Sequence, residues 1–375
     1  MRNALLPRLR TLNERVLPER LLFGPTHVVL GVNSFCNLHC VMCDVGTGDS
    51  QTNFGANLVG AKARSMPIDL FRHIADEINA FCPTAHLGFA FTEPLAWPSI
   101  GEALAISQDR GLQASVTTNG LLLMRHLDDL AHGRCRDLAV SIDGPEAVHD
   151  RIRRHVGSYA RAVAGIEALA TRPGAPEIAV YCTITELNVG WLRPFLQEMS
   201  RLPLKRVGLL HNNFVTAEQA ENHNLSYDGL LHATASNVFL TDPAKIHLRV
   251  LAEELQEIER TAYPFPVLIQ PQVTDVQTLE TYYRRPETPF GRACHDVSRM
   301  LMIDADGEAI PAHGRCFRFP IGNIRDQSLA SIWNHRGLSE LRRTLRQAGG
   351  LLPACSRCCS GFGGAPRPRP AEARP

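Results

Sequence analysis

Six apolar runs of strand length, with helical patterns between them, most constrain how this 375-residue chain can fold. The runs are rich in β-branched residues, whereas the apolar residues between them recur at helical spacing. Strands that are apolar along their whole length suit a sheet buried on both faces. The alternation therefore predicts an α/β fold, with a parallel sheet covered by helices. The six runs are residues 28–32, 87–91, 114–117, 138–142, 178–184 and 207–210.

Composition places few further limits on function. With 44% hydrophobic and 21% charged residues and a net charge of +1, the chain gives no electrostatic case for binding nucleic acid or an anionic membrane. Residues 1–25 lack an apolar stretch of the signal-peptide type, and no segment reaches transmembrane length, so we expect a cytoplasmic protein. Arginines among leucines in residues 2–20 would also fit a membrane-surface helix. Pro7, Pro18, Glu14 and Glu19 favour a short packed helix instead.

Three cysteines follow the first apolar run at CxxxCxxC spacing: Cys36, Cys40 and Cys43. They lie on the loop leaving a buried strand, at the end where barrel enzymes keep their active sites. Three thiolates can hold three irons of a 4Fe–4S cluster and leave the fourth iron open. A zinc site that adds His39 to the three cysteines fits the same spacing. Disulfides are a weaker interpretation for eleven cysteines without an export signal.

Later strand ends carry further motifs in a fixed order. They are Phe91-Thr-Glu-Pro-Leu95, Thr117-Thr-Asn-Gly120 and Ser141-Ile-Asp-Gly144, followed by His149, Asp150 and Arg153. Together with the cysteine triplet, this order resembles the radical S-adenosylmethionine (SAM) superfamily, in the branch with C-terminal SPASM or twitch domains. With these motifs in place, the zinc interpretation of the first cysteines falls away.

The resemblance implies a partial (β/α)6 barrel in which Cys36, Cys40 and Cys43 bind a 4Fe–4S cluster. In that family SAM chelates the open iron, and one electron from the cluster splits SAM into methionine and a 5'-deoxyadenosyl radical. The residues that the resemblance assigns to SAM are Met42, Thr92, Glu93, Asn119, Ser141, Asp143 and Arg153.

Some of these positions have other interpretations. Met42 could also fill the core, and Asn119, Ser141 and Asp143 could serve strand-end and turn structure. Phe91 and Thr92 stand where the family has two glycines, so the backbone must approach SAM there without the freedom of glycine.

A second cysteine set begins with a hairpin signal, in which residues 300–303 and 308–310 flank Asp304-Ala-Asp-Gly307. Cys294, Cys316, Cys355 and Cys358 surround this hairpin and resemble the twitch domain, which implies a second 4Fe–4S cluster. A four-cysteine zinc site fits the same spacing. Cys359 competes with Cys358 as a ligand, although CxxC spacing favours Cys358, and His313 is a conceivable substitute.

Several other residues are candidates for contact with the substrate. His211, Asn213 and Thr216 follow the sixth strand, although Thr216 could equally cap a helix. Cys182, in the fifth strand, could donate a hydrogen atom to a substrate radical or simply pack in the core. Cys82 and Cys135 are predicted to be inert core residues.

The predicted organisation has five parts: an N-terminal helical segment (1–25), the barrel (26–215), a helical bridge (216–290), the twitch-type domain (291–362) and a disordered tail (363–375). Ser158 is predicted to cap a helix, and residues 44–66 are predicted to form a long connection, either a lid or binding loop or a disordered linker.

We expect an enzyme that abstracts a hydrogen atom from a small polar metabolite, such as a sugar or aminocyclitol, and so oxidises or epimerises it. An external one-electron reductant of the flavodoxin or ferredoxin type would be needed. The alternatives are modification of a ribosomally made peptide, which about 25 residues before the first strand make less favoured, and a non-catalytic iron–sulfur electron carrier.

Overall fold

A computed structural model of the protein describes residues 2–17, 19–59 and 62–362, with side chains from residue 8 onward. The tail at 363–375, for which the sequence predicts disorder, lies outside the described residues. All six predicted strands are present, and three more accompany them in this part of the chain. The strands are β1 (His27–Leu30), β2 (His86–Phe89), β3 (Gln113–Thr118), β4 (Asp137–Ser141), β5 (Glu177–Ile184), β6 (Arg206–His211), β7 (Val267–Gln270), β8 (Met300–Ile303) and β9 (Ala309–Pro311).

These strands form one sheet in the order β7-β6-β5-β4-β3-β2-β1-β8-β9. Every neighbouring pair from β7 to β8 is parallel, and only the β8–β9 pair is antiparallel. Within the described chain, β7 and β9 are the two edges of the sheet. The mixed α/β fold with a largely parallel, open sheet agrees with the predicted partial barrel.

Helices connect the parallel strands and cover the sheet. They are α1 (Arg2–Val16), α2 (Asp44–Thr47), α3 (Asn53–Leu58), α4 (Ile68–Phe81), α5 (Ile100–Asp109), α6 (Leu127–Leu130), α7 (Glu146–Arg153), α8 (Ser158–Ala170), α9 (Leu192–Met199), α10 (Ala217–Tyr227), α11 (Leu248–Arg260), α12 (Val276–Arg284), α13 (Leu329–Trp333) and α14 (Arg336–Gln347). None of the helices described is long and apolar enough to span a membrane.

Helix α4 shows how the apolar spacing directs packing. Leu70, Ile74 and Ile78 recur along one face, and all three are buried in the main core. Pro67 lies at the N-cap in an extended conformation, which sets the start of the helix. The helical spacing predicted between the first two apolar runs is thus confirmed.

The predicted cap of α8 is wrong. Gly157, with φ of 80°, occupies the N-cap, and Ser158 is the first helical residue. The carboxylate of Asp150 supplies the cap by accepting hydrogen bonds from the Gly157 and Tyr159 amides and from the Ser158 hydroxyl. A residue from the preceding helix therefore does what the sequence assigned to Ser158.

Two segments contain structure that the sequence did not indicate. The long connection at residues 44–66 contains α2 and α3, and α3 is capped by the Thr52 hydroxyl, which accepts from the Gly55 amide at 3.0 Å. Within residues 225–290, where the sequence predicts helices alone, α11 and α12 enclose the strand β7, which lies beside β6 as a further parallel strand.

The C-terminal hairpin extends the same sheet. The predicted hairpin is confirmed as β8 and β9, and β8 pairs in parallel with β1, from His27 opposite Met300 to Leu30 opposite Ile303. The indole of Trp333 donates to the Phe23 carbonyl at 2.9 Å, which fastens α13 to the segment preceding β1. Both cysteine sets are therefore attached to one continuous sheet.

The turn after β3 depends on a glycine. Gly120 has φ of 83°, and a Cβ placed there would lie 2.6 Å from the Cβ of Ala162 in α8. Gly111 has a similar φ of 69°, but open space surrounds its missing side chain.

We expect both Gly111→Ala and Gly120→Ala to lose about 1 kcal/mol of unfolding free energy through backbone strain. Gly120→Ala should lose about 1–3 kcal/mol more, because it also forces α8 away from the sheet. Chemical denaturation of the two variants checks this difference. Equal losses would mean that α8 yields to the extra methyl group without cost.

Candidate active site

The carboxyl ends of β1 to β6 surround a cavity of about 230 Å³. Cys36, Cys40 and Cys43 all line it, on the loop that follows β1. The remaining polar residues of its wall come from the ends of other strands, from the end of helix α7 and from one C-terminal loop. They are Thr92, Glu93, Thr117, Thr118, Asn119, Ser141, Arg153, Thr183, His211, Asn212, Asn213 and Arg315.

The cysteine loop is suited to a metal cluster and not to the zinc alternative. The Nδ1 atom of His39 lies 2.9 Å from the Gly46 carbonyl oxygen, and His39 is not part of the cavity wall. Burial raises the pKa of Cys36 to about 12 and that of Cys40 to about 11. Cluster binding must therefore displace protons that these thiols hold firmly.

A buried ion pair lies behind Cys40. Arg153 Nε donates to Asp143 Oδ2 at 2.6 Å, and its Nη1 reaches Cys40 Sγ at 3.5 Å. Burial opposes the charge of Arg153, but Asp143 and Cys40 together outweigh it and keep the pKa of Arg153 above its ordinary value. The structure places Arg153 in the cavity wall. It places Asp143 behind the wall, where Oδ1 accepts from the Thr183 amide.

Glu93 joins the ends of two strands. Its buried carboxylate accepts from the Leu95 amide at 3.0 Å, the Thr118 hydroxyl at 2.7 Å and the Asn119 amide at 2.7 Å. Burial raises the pKa of Glu93 although these hydrogen bonds favour its charged form. Asn119 Nδ2 in turn donates to Asn37 Oδ1 at 2.7 Å, which ties the strand ends to the cysteine loop.

Phe91 keeps the backbone conformation that glycine would adopt there. Its φ is 75°, which costs a side-chain-bearing residue about 1–2 kcal/mol. Its ring stacks on His313, with centroids 5.7 Å apart, and meets Phe54 edge-on at 6.1 Å. The ring contacts offset the strain, so the backbone has a positive φ at this position although the residue is not glycine.

Thr92 indicates that the cavity accommodates a polar ligand. Its Oγ1 atom is buried and has no hydrogen-bond partner among the described residues. A polar atom left unpaired in this way costs about 1–3 kcal/mol. A polar ligand such as SAM, with its amino, carboxylate and hydroxyl groups, would satisfy it. The residues present therefore fit the cofactor implied by the motifs.

Met42 and Ser141 also lie in the cavity wall. Met42 is buried against Leu38, Val148 and Ile152, so it both fills the core and lines the cavity. Ser141 is the last residue of β4.

The second cysteine set forms an adjoining cavity of about 70 Å³. Cys294, Cys316, Cys355 and Cys358 all line it, whereas Cys359 does not. Four thiols around one space suit a cluster with no open iron.

His313 also lines this second cavity. Its Nε2 atom donates to the Ser360 hydroxyl at 2.8 Å, and its Nδ1 accepts from the Arg315 amide at 3.2 Å. The ligand atoms of His313, Cys358 and Cys359 lie within 4.8 Å of one another and form another combination able to hold a metal.

Three predicted substrate residues have structural contacts within the protein. Cys182 is fully buried and lies outside the cavity wall, because its neighbour Thr183 faces the cavity and successive strand residues face opposite ways. Thr216 caps α10 in a capping box with Gln219. His211 lines the cavity, but Tyr283 Oη lies 2.7 Å from its Nδ1 and the Val273 carbonyl lies 3.0 Å from its Nε2.

The surroundings of His211 fix its charge. Burial lowers the pKa of His211 to about 4, so the imidazole is neutral at physiological pH.

Asn213, the remaining predicted substrate residue, lines both cavities. Cys82 and Cys135 are buried in the main core, as predicted.

Sequence reasoning missed Asp44 and Arg315. The buried Asp44 carboxylate accepts from the Ser236 hydroxyl at 2.6 Å and from the Asn237 amide at 2.8 Å. Arg315 lines both cavities. The only available signal was position in the chain, since Asp44 follows Cys43 and Arg315 precedes Cys316.

Comparison with known proteins agrees with this geometry. Residues 31–183 match the model of the radical SAM superfamily, and residues 294–359 match the SPASM iron–sulfur cluster-binding domain. The chain is 26% identical to the AdoMet-dependent heme synthase of Methanosarcina barkeri, over 89% of this chain and 88% of that protein. It is 21% identical to the Fe-coproporphyrin III synthase of the same organism, over 88% of this chain and 80% of that protein.

Solved structures share the fold. The crystal structure of Streptococcus suis SuiB bound to its precursor peptide SuiA matches with a TM-score of 0.62 and 13% identity, covering 93% of this chain and 74% of that one. Its complex with S-adenosylmethionine matches with a TM-score of 0.61.

Removing Arg153 should strongly destabilise the protein. In Arg153→Ala the Asp143 carboxylate would stay buried without its cation, which costs about 3–5 kcal/mol of unfolding free energy. Arg161→Ala, at an exposed position of α8, should change it by less than about 0.5 kcal/mol. Urea denaturation compares the two, and similar small losses would contradict the buried ion pair.

The strain at Phe91 can be measured separately from its ring contacts. Phe91→Gly and Phe91→Ala both remove the ring, but only glycine relieves the positive φ. We therefore expect the glycine variant to be more stable by about 1 kcal/mol. At the neighbouring Ala90, where φ is not positive, Ala90→Gly should destabilise. An alanine variant as stable as the glycine variant at position 91 would disprove the strain.

Proposed function

This chain belongs to the radical SAM superfamily and carries a C-terminal SPASM-type domain, and we propose that it oxidises a small molecule bound between its two iron–sulfur sites. It is a radical SAM enzyme that uses SAM and 4Fe–4S clusters and needs an external reductant. When bound, these cofactors supply a 5'-deoxyadenosyl radical for hydrogen abstraction and, at the second cluster, an acceptor for one electron.

The adjacency of the two cavities carries this proposal. Asn213 and Arg315 belong to the walls of both cavities, so a substrate that contacts them would adjoin the SAM site and the second cluster site together. A substrate radical formed there would need to transfer its electron only to the neighbouring site. A flavodoxin or ferredoxin would serve as the external one-electron donor.

The cavity wall favours oxidation over epimerisation. Epimerisation requires a group that returns a hydrogen atom to the substrate radical. The cavity at the carboxyl ends of β1 to β6 is called the SAM cavity below. Among the described residues that line it, the thiols are Cys36, Cys40 and Cys43, which are assigned to the cluster. Cys182 lies outside this wall, so it is not positioned to donate a hydrogen atom.

His211 is poorly suited to act as a base. It is neutral at physiological pH, and both ring nitrogens already have hydrogen-bond partners in the protein. Its place in the cavity wall supports a positioning role, in which a fixed, uncharged surface borders the substrate.

The choice of a small molecule rests on the curated relatives. The names of two of them, a heme synthase and an Fe-coproporphyrin III synthase, point to iron tetrapyrroles, and both match at least 88% of this chain. An iron tetrapyrrole is therefore the first substrate to test, ahead of a sugar or aminocyclitol. The likeness to peptide-bound SuiB, at 13% identity, supports the fold alone. A non-catalytic iron–sulfur electron carrier would use neither the open iron of the first cluster nor the unpaired Thr92 hydroxyl.

Activity assays distinguish these functions. The anaerobically reconstituted protein should contain roughly eight irons per chain, as two 4Fe–4S clusters require. With SAM and a reductant it should form 5'-deoxyadenosine, and iron coproporphyrin III should increase the yield more than an aminocyclitol or a peptide does. Cys36→Ala should abolish this product, whereas Cys82→Ala, in the core, should retain it.

The contrary results are equally specific. Absence of deoxyadenosine in the wild-type protein would favour the carrier. If only a peptide increased the yield of deoxyadenosine, peptide modification would be the favoured function. Deuterium transfer from a labelled substrate into deoxyadenosine identifies the carbon attacked.

A further inference from the structure

We infer that Arg315 and Asn213 form a binding site for a substrate carboxylate, located where the SAM cavity meets the second cluster cavity. The inference rests on the proposed function, because it names the chemical group by which that substrate is held. Both residues line both cavities, and they come from separate parts of the chain. Arg315 lies in the second cysteine set, and Asn213 follows β6.

The guanidinium of Arg315 is held on an aromatic platform. Its central carbon lies 4.2 Å from the centroid of the Phe54 ring. Such stacking occupies the face of the guanidinium and leaves its N–H edge available to an acceptor.

Helix α3, which carries Phe54, also holds the backbone around Arg315. Asn57 Nδ2, in α3, donates to the carbonyl oxygens of Gly314 and Cys316, both at 2.9 Å. A Cβ at Gly314 would lie 2.8 Å from Leu58, so the loop packs closely on α3. Arg315 is therefore positioned before any ligand arrives, which lowers the entropic cost of binding.

The charge of Arg315 has no carboxylate partner. Within the part of the chain that the structure describes, no Asp or Glu oxygen lies within 4.0 Å of its nitrogens. The other arginine of the SAM cavity, Arg153, is already neutralised by Asp143. One uncompensated cation at a partly buried position suits one negative charge, and a planar carboxylate matches the guanidinium edge. A phosphate dianion would need more positive charge than this wall provides.

Asn213 supplies a second donor. No hydrogen bond of its side chain is formed within the described structure, whereas its carbonyl oxygen accepts from Asn237 Nδ2 at 2.8 Å. Asn237 is in turn hydrogen-bonded to the buried Asp44 beside Cys43. The backbone of Asn213 is thus tied to the first cysteine loop, while the residue lines both cavities.

Chemical modification tests the site without turnover. The holoenzyme, saturated with SAM, is treated with the arginine reagent phenylglyoxal, and the rate at each arginine is read by peptide mass spectrometry. Propionate should slow modification of Arg315 by about threefold or more, since a bound carboxylate covers the guanidinium edge. Propionamide at the same concentration should not. Arg318, exposed and outside both cavities, should react at the same rate in all samples.

A variant tests the same site with a carboxylate supplied by the protein itself, so no added ligand has to enter the cavity. Asn213→Asp places a carboxylate in the site, so it should slow modification of Arg315 without any additive and remove the effect of propionate. Asn213→Ala should leave Arg315 reactive.

Two results would overturn the inference: equal rates at Arg315 with propionate and propionamide, or protection of Arg315 by SAM alone, which would assign this arginine to the cofactor. The proposed function is judged separately, by deoxyadenosine formation in the wild-type enzyme. Either proposal can therefore fail while the other stands.

Discussion

The parallel pairing of β1 with β8 is the contact on which the rest of the site depends. The first cysteine loop leaves the end of β1, and the second cysteine set surrounds the hairpin that begins with β8. Four residue pairs in register fix the two strands relative to each other, and a slip by one residue would turn every side chain of β8 to the opposite face. Because both cysteine sets are anchored to this ladder, their cavities adjoin with little freedom to separate.

Buried polar groups hold the SAM cavity in one arrangement. Glu93 joins the ends of β2 and β3, Asn119 continues to the cysteine loop, and Arg153 with Asp143 lies behind Cys40. Each of these groups would be costly to bury alone, and each is paired. The exception is the buried Thr92 hydroxyl, which has no partner among the described residues although Thr92 lines the cavity. An unpaired polar group in the wall suits a polar ligand.

Helix α3 connects the cavity to the second cluster site. It supplies Phe54 beneath Arg315 and Asn57 to the backbone on either side, while Phe91 stacks on His313 and contacts the same Phe54 ring. The strained backbone at Phe91 is therefore part of an aromatic contact between the two halves of the site. On the opposite side, Asp44 and Asn237 hold Asn213.

The sequence by itself determined the six strands, the C-terminal hairpin and the two cysteine sets, because apolar periodicity, turn residues and ligand spacing are local properties of the chain. Tertiary structure decided which side chains face the cavity. It turned Cys182 into the core through the pleat of β5, placed Asp143 behind Arg153, and gave both nitrogens of His211 partners from distant segments. It also placed Arg315 and Asn213 in the walls of both cavities. Such contacts join residues far apart in the chain, so no local pattern specifies them and only the packed sheet does.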